Sequence, residues 1–240
     1  MAVWTVAWEN SIPEMEWAVY QEVLHQASSL GIPYAFGGAF ATALYTGQLR
    51  NTKDFDLYIL PRDRDRMADA LGRAGLTDHY TVLPYDRSWI YRASRGEIIV
   101  DAIWQMANAR ALVDDEWLRL GPEVSIRGQR LRAIPVEELI WSKLYVLQRE
   151  RSDWPDVLNL IDAQTSKVNW ERLAGRLGAD APLLAAALQL YAWLAPERSH
   201  EIPIQVWATL GLRVPEEGGD HRVTEQRASL LESRPWFRVA

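Results

Sequence analysis

The segment DFDLYIL, residues 54–60, restricts this chain more than any other. Its apolar residues alternate with others, and Pro61 stops the run, so it reads as a β-strand. Side chains along a strand alternate between faces, which puts Asp54, Asp56 and Tyr58 on one side and Phe55, Leu57 and Ile59 on the other. The second set can face a core. The first set carries two carboxylates about 6–7 Å apart along the backbone. Such acids are costly to bury unless something positive pairs with them, and unpaired they repel and push one pKa up. They stand close enough to clamp one or two cations, and hard oxygen ligands of this kind suit Mg2+ or Mn2+.

Two further features stand in similar settings. In EIIVDAIW (97–104), Asp101 interrupts a strongly β-prone run, with Ile99 and Ile103 as neighbours on its own face. If that strand lies beside the first, Asp101 joins Asp54 and Asp56, and three aspartates can hold two metal ions. A structural carboxylate capped by a turn or paired with an arginine is the plainer alternative for Asp101, and a solvated strand end is the plainer alternative for the other two. Upstream, YAF reads as a short strand running into Gly37-Gly38, and AFATALYT as a helix closed by Gly47. A strand, a glycine pair and a helix start leave free backbone N–H groups where an anion can bind, although an ordinary turn is what a glycine pair most often marks.

The rest of the chain sorts into two halves. Residues 13–30 predict a helix with Trp17, Tyr20, Leu24 and Ala27 as its apolar stripe, widened by Val23 and Leu30. RDRDRMADALGRAG (62–75) predicts an amphipathic helix with Met67, Ala70, Leu71 and Ala74 inward, its RDRDR run being a solvated face. YTVLPY (80–85), SWIYRA (88–93) and EIIVDAIW read as strands, and EVSIRGQRLRAIP (123–135) as a hairpin turning at Arg127-Gly128. Beyond Pro135 the periodicity is helical over 136–149, 154–164, 169–177 and 181–194. VPEEGGDH (214–221) reads as an exposed turn or linker, and the tail after it carries no clear pattern. The expectation is an α+β fold: a mixed β-sheet with flanking helices over residues 1–134, followed by a helical domain over 135–240.

The stretch FGGAFATALYTGQLRNTKDFDLYI resembles the signature of the nucleotidyltransferase superfamily with the DNA polymerase β-like fold. That signature is an apolar residue, a glycine pair, a short helix, an Asp-apolar-Asp strand and a third carboxylate on a later strand. Arg50, Thr52, Asp54 and Asp56 resemble the R-x-[ST]-x-D-x-D variant of the abortive-infection type toxin nucleotidyltransferases. IPVEELIWSKLYVLQRERSDWPDVLNLI is similar to the helical segment of that group, with Lys143, Arg149 or Arg151, and Asp153 or Asp156 at its characteristic positions. The resemblance covers roughly residues 30–165. It implies that Asp54, Asp56 and Asp101 are catalytic and bind Mg2+ or Mn2+, with Asp101 also helping to deprotonate the acceptor hydroxyl. It implies that Gly37, Gly38, Arg50, Thr52 and Lys143 bind the nucleotide. The implied partners are a nucleoside triphosphate, an acceptor and an antitoxin protein. A non-catalytic relative that keeps the fold as a nucleotide- or partner-binding module is the alternative.

Composition trims the remaining classes. The chain of 240 residues has no cysteine, which excludes disulfides and thiolate zinc sites, and its four histidines show no metal-ligand spacing. No apolar run looks long enough to cross a bilayer, and the start lacks a basic n-region and an apolar core, so the expected location is the cytoplasm, without a membrane partner. A net charge of −6 argues against a grip on nucleic acid made mainly through phosphates. The acceptor stays open between three chemistries. RGQRLR (127–132) and QRER (148–151) could line a groove for RNA, Asp114, Asp115 and Glu116 could face a cationic small molecule, and a protein hydroxyl is the third. The twelve tryptophans are scattered and read as core or interface filling.

Overall fold

The computed structural model describes residues 4–50, 52, 54–216, 220–232 and 236–237. The chain divides into two compact units, Met1–Pro135 and Val136–Ala240.

The first unit is built on a five-stranded sheet. Its strands are β2 (Tyr34–Phe36), β3 (Asp54–Ile59), β4 (Thr77–Asp78), β5 (Ile90–Arg95) and β6 (Ile98–Ile103), in the spatial order β2-β3-β6-β5-β4. β3 and β6 run parallel, and the other pairs are antiparallel. A smaller sheet joins β1 (Trp4–Thr5), β7 (Glu123–Ile126) and β8 (Gln129–Arg132).

Four helices flank the sheets: α1 (Glu14–Ser29), α2 (Gly38–Thr46), α3 (Arg64–Arg73) and α4 (Asp115–Arg119). Helix α1 buries the anticipated stripe of Trp17, Tyr20, Val23, Leu24 and Ala27. Its Tyr20 meets the ring of Phe55 at 4.8 Å, and Phe40 of α2 meets Phe55 edge-on at 5.5 Å. Phe55, Leu57 and Ile59 are all buried, so the apolar face of DFDLYIL is the core face. Each such side chain contributes about 1.5–3 kcal/mol through the area it removes from water. That preference fixes the strand's register and turns Asp54 and Asp56 the other way.

The second unit holds α5 (Val136–Leu144), α6 (Trp154–Gln164), α7 (Trp170–Leu177), α8 (Ala181–Leu194), α9 (Pro196–Ser199), α10 (Ile204–Thr209) and α11 (His221–Leu231). Trp141, Trp170 and Trp207 are buried within it, and Trp8, Trp17, Trp104 and Trp117 within the first unit, as core filling requires. Trp193 stands exposed.

Five expectations need correction. YTVLPY is not a strand. The Asp78 side chain accepts the Tyr80 N–H at 2.9 Å and turns the chain into a single 3-10 turn, leaving Val82 and Leu83 exposed. The helix expected to reach residue 149 ends at Leu144, because Gln148 N–H donates to Arg151 O and Asp153 N–H to Val146 O, a hairpin-like turn that replaces the last helical turns. The RDRDR run is not wholly solvated: Asp63 is buried and takes a hydrogen bond from Arg66 at 2.5 Å. The tail, without a pattern in sequence, forms α11 from His221, whose N-cap Asp220 accepts from Arg222 N–H. Of the 214–221 linker, residues 217–219 lie outside the described residues. Finally, Trp170–Leu194 does reach the length and mean hydropathy of a membrane-crossing segment. Gly178 and the 3-10 turn after it divide that segment into α7 and α8, which bury Leu173, Leu177, Leu184, Leu188 and Leu194 against the rest of the unit.

One ion cluster in the second unit makes a testable contribution. The Lys143 ammonium is buried and donates to Asp153 at 2.9 Å and Asp156 at 2.7 Å. Burial pushes the Asp153 carboxyl up, but the charge and hydrogen bond of Lys143, joined by Arg151, outweigh it and hold the group below its ordinary value. A depressed carboxylate stabilises the fold above its unfolded pKa of about 3.9 and loses that contribution as the pH falls through the folded value. Asp153→Asn is therefore expected to cost about 1–3 kcal/mol at neutral pH. Its deficit against wild type should shrink below about pH 4 in melting curves taken from pH 7 to pH 3. A deficit of constant size across that range would contradict the assignment.

Candidate active site

The polar face of β3 continues sideways across the sheet. Parallel pairing sets Asp56 opposite Asp101 of β6, and antiparallel pairing sets Asp101 opposite Arg92 of β5. Asp54, Asp56 and Asp101 each offer a carboxylate oxygen within 4.8 Å of the others. They differ in surroundings: the Asp101 side chain is 2% exposed and that of Asp54 39%.

The start of α2 lies directly against this cluster, and the glycine pair explains how. Gly38 has φ +54°, and a β-carbon there would stand 1.6 Å from Asp56 Oδ2. A β-carbon on Gly37 would stand 2.1 Å from the Tyr58 ring. Gly37 N–H donates to Asp56 O at 3.0 Å, tying the helix start to the strand. The first-turn amides of a helix have no intrahelical acceptor, so the backbone of α2 presents donors immediately beside the acids.

Thr52 has a definite task. Its hydroxyl donates to Asp54 Oδ1 at 2.7 Å and fixes the rotamer of that carboxylate. Arg50 is exposed in the connection between α2 and β3. Lys143 belongs to the second unit, where it holds the two acids already described.

Arg92 escaped the sequence reading altogether. Its Nε donates to Asp101 Oδ1 at 2.7 Å and its Nη2 to Asp101 Oδ2 at 2.5 Å, a bidentate fork. The same Nη2 lies 3.8 Å from Asp54 Oδ2. The arginine-paired state considered for Asp101 is therefore present together with the acidic cluster, not instead of it. The signal was available in SWIYRA, where Arg92 is the one cation in the run, but its pairing requires the β5–β6 register. Burial pushes the Asp101 carboxyl above the usual carboxylate range, Asp54 adds to the push, and the Arg92 fork and His79 oppose it. The hydrogen bonds of Asp101 raise Arg92 and keep it firmly cationic. Tyr85 fixes the strand at this point. Its hydroxyl accepts the Arg92 N–H at 2.9 Å and lies 3.2 Å from the Arg92 carbonyl.

Some of the residues proposed to line an acceptor groove are occupied elsewhere. Arg127 donates from Nε to Glu9 O at 3.1 Å and from Nη2 to Ile12 O at 2.5 Å. Arg132 donates to the carbonyls of Arg119 and Gly121. Asp114 caps α4, accepting from Glu116 N–H and Trp117 N–H.

A mixed sheet that gathers carboxylates from two parallel strands beside a Gly-Gly helix start, followed by a helical region, is the fold of nucleotidyltransferases. The chain belongs to the family described as "Nucleotidyl transferase of unknown function (DUF2204)", whose profile matches residues 17–179. It is thus an enzyme of the nucleotidyltransferase class. No curated protein sequence matches the chain. Among solved structures, the antibiotic-resistance factor ANT(2'')-Ia in solution has a TM-score of 0.51 at 19% identity, covering 75% of this chain and 98% of its own. The lincomycin-bound lincosamide antibiotic adenylyltransferase LnuA has a TM-score of 0.44 at 17% identity, covering 62% and 96%. JHP933 from Helicobacter pylori has a TM-score of 0.40 at 15% identity, covering 91% and 97%. The first of these supports the fold.

Proposed function

We propose that this enzyme moves a nucleoside monophosphate from a nucleoside triphosphate to an acceptor hydroxyl, with Asp54, Asp56 and Asp101 as its catalytic acids. The observation that carries the reading is the convergence of three carboxylate oxygens within 4.8 Å, directly beside the amide donors of α2. In the reaction the acceptor oxygen forms a bond to the α-phosphorus and the bridge to the β-phosphate breaks. Pyrophosphate leaves, and the hydroxyl proton passes to Asp101. A carboxyl whose burial raises its pKa is suited to take that proton.

The donor set fits Mg2+ or Mn2+: three hard carboxylate oxygens, one of them on a side chain open enough for an ion to enter. Asp54, Asp56 and Asp101 would between them hold the divalent ions of the reaction, which when bound would supply charge neutralisation for the triphosphate and its leaving group. Thr52 orients Asp54. Gly37 and Gly38 are assigned to the phosphates, Gly38 through its amide and Gly37, whose own N–H is given to Asp56 O, by letting the backbone come close, and Arg50 is assigned to the same nucleotide. Lys143 is assigned to it by motif resemblance alone. Positioning and charge do the catalytic work, and no covalent protein intermediate is involved.

The acceptor we favour is a small polar molecule. The net charge is −6, and two of the five arginines that could have lined an RNA groove, Arg127 and Arg132, are committed to backbone carbonyls. The antibiotic-resistance factor ANT(2'')-Ia lends this a precedent of fold only. The toxin-like branch, and with it an antitoxin partner, rests on the Arg50-x-Thr52-x-Asp54-x-Asp56 motif and is tested by the same experiment. We place the reaction in the cytoplasm, where nucleoside triphosphates are held.

The test is incubation of the purified protein with Mg2+, each nucleoside triphosphate and, separately, small-molecule, RNA and protein fractions of a cell extract, followed by mass spectrometry. The expected result is a mass gain of one nucleotide residue in the small-molecule fraction, with stoichiometric pyrophosphate. A gain confined to RNA or protein would overturn the acceptor assignment. Absence of a gain in all three would overturn the reaction.

A further inference from the structure

We propose that Arg92 is a resident cation of the active site, a positioning residue that holds Asp101 for the acceptor hydroxyl and limits the nucleotide-free enzyme to one divalent ion, at Asp54 and Asp56. This rests on the metal-dependent reading above and adds a residue that neither the motif nor the family description contains.

The geometry is specific. Arg92 grips both oxygens of a carboxylate that is almost wholly buried, and the same guanidinium nitrogen faces Asp54. It therefore lies between two of the three acids, where a cation is most strongly favoured. Three carboxylates and one guanidinium leave a formal charge of −2, which one divalent ion balances. A second ion entering an empty site would have to compete with a cation that cannot dissociate or lose its proton. Its arrival is favourable only with the negative charge of a triphosphate.

Nor is the arginine free to swing aside. Tyr85 fixes its backbone, its side chain is 29% exposed, and its two donors hold both oxygens of the Asp101 carboxylate. The fork also sets the orientation of Asp101, because each oxygen is held by one donor and keeps a lone pair for the reaction.

A structural ion pair and a resident cation make opposite predictions once the charge is removed. If Arg92 only neutralises a buried acid, its loss disorders the site and weakens every function of it. If it competes with metal, its loss weakens catalysis and strengthens metal binding. The probe is Mn2+ alone, titrated into nucleotide-free protein and followed by the electron paramagnetic resonance signal of the free ion.

Wild type is expected to bind one Mn2+. Arg92→Gln is expected to bind a second, or to bind the first about tenfold more tightly, while pyrophosphate release with the acceptor fraction falls at least tenfold. Arg92→Lys keeps the charge without the fork. It should show wild-type Mn2+ binding within twofold and a kcat reduced about tenfold at unchanged KM for nucleotide. Arg92→Gln that binds a single Mn2+, and no more tightly than wild type, overturns the proposal. So does Arg92→Lys with undiminished kcat, and that arm decides the matter alone if the glutamine variant fails to fold. Asp56→Asn run in parallel separates the two levels. If it keeps both Mn2+ binding and turnover, the metal-dependent reading itself fails. If it loses both while the Arg92 variants match wild type, only the role of Arg92 fails.

Discussion

Asp54→Asn and Asp56→Asn are each expected to lower nucleotidyl transfer by about a thousandfold, the scale on which removing a preorganised charge from a reacting centre acts. The fold should survive. Both residues lie on the solvent side of β3, opposite the buried Phe55 and Leu57, and each carries a negative charge close to two others. Neutralising one acid relieves repulsion, so the melting temperature should stay level or rise in the absence of metal. Loss of activity without loss of stability is the combination that marks a functional acid and not a structural one. Pyrophosphate release and a melting curve on the same preparation provide both readouts. A variant keeping more than a tenth of the wild-type rate would remove that residue from the catalytic assignment.

Gly38→Ala carries the second large effect, and there stability and activity fall together. The left-handed backbone costs an alanine about 1–2 kcal/mol. The methyl group would be placed 1.6 Å from Asp56 Oδ2, so the carboxylate, the start of α2 or both must move. Overpacking of this kind typically costs about 1–3 kcal/mol. The sum is about 2–5 kcal/mol, or a melting temperature lower by roughly 5–15 °C. Because the displaced group is one of the acids proposed to be catalytic, turnover of the folded fraction should also drop about a hundredfold. An alanine variant that melts like wild type would show that the helix start does not approach Asp56 as described.

The glycine pair thus has a reason that spacing alone did not disclose. Gly37-Gly38 read as a phosphate cradle, yet the tightest constraint on both positions comes from behind, from Tyr58 and Asp56 of the neighbouring strand. What was legible was whatever depends on local periodicity. The two-residue alternation of DFDLYIL identified its buried face, the 3.6-residue spacing from Trp17 to Ala27 identified α1, and Arg127-Gly128 marked a hairpin turn. Asp101 stood out because an acid within IIVDAI is costly anywhere in a core. What escaped was whatever depends on partners across strands or on side chains that rewrite the backbone path. Arg92 is an ordinary strand arginine until β5 pairs with β6. YTVLPY has strand-like composition, but a side-chain cap from Asp78 overrides it. The last turns of the helix expected to reach residue 149 lose to hydrogen bonds that fold residues 146–153 back on themselves.

The β5–β6 hairpin has a consequence for how so acidic a centre comes to exist. Arg92 and Asp101 are only nine residues apart in the chain, and closing a short loop costs less entropy than closing a long one. The crossover that brings β6 alongside β3 spans all of α3, β4 and β5. Asp101 can therefore travel with its counter-charge already attached, and the hairpin docks as a nearly neutral piece. The chain need not drive three bare anions together in order to assemble the place where it handles a fourth.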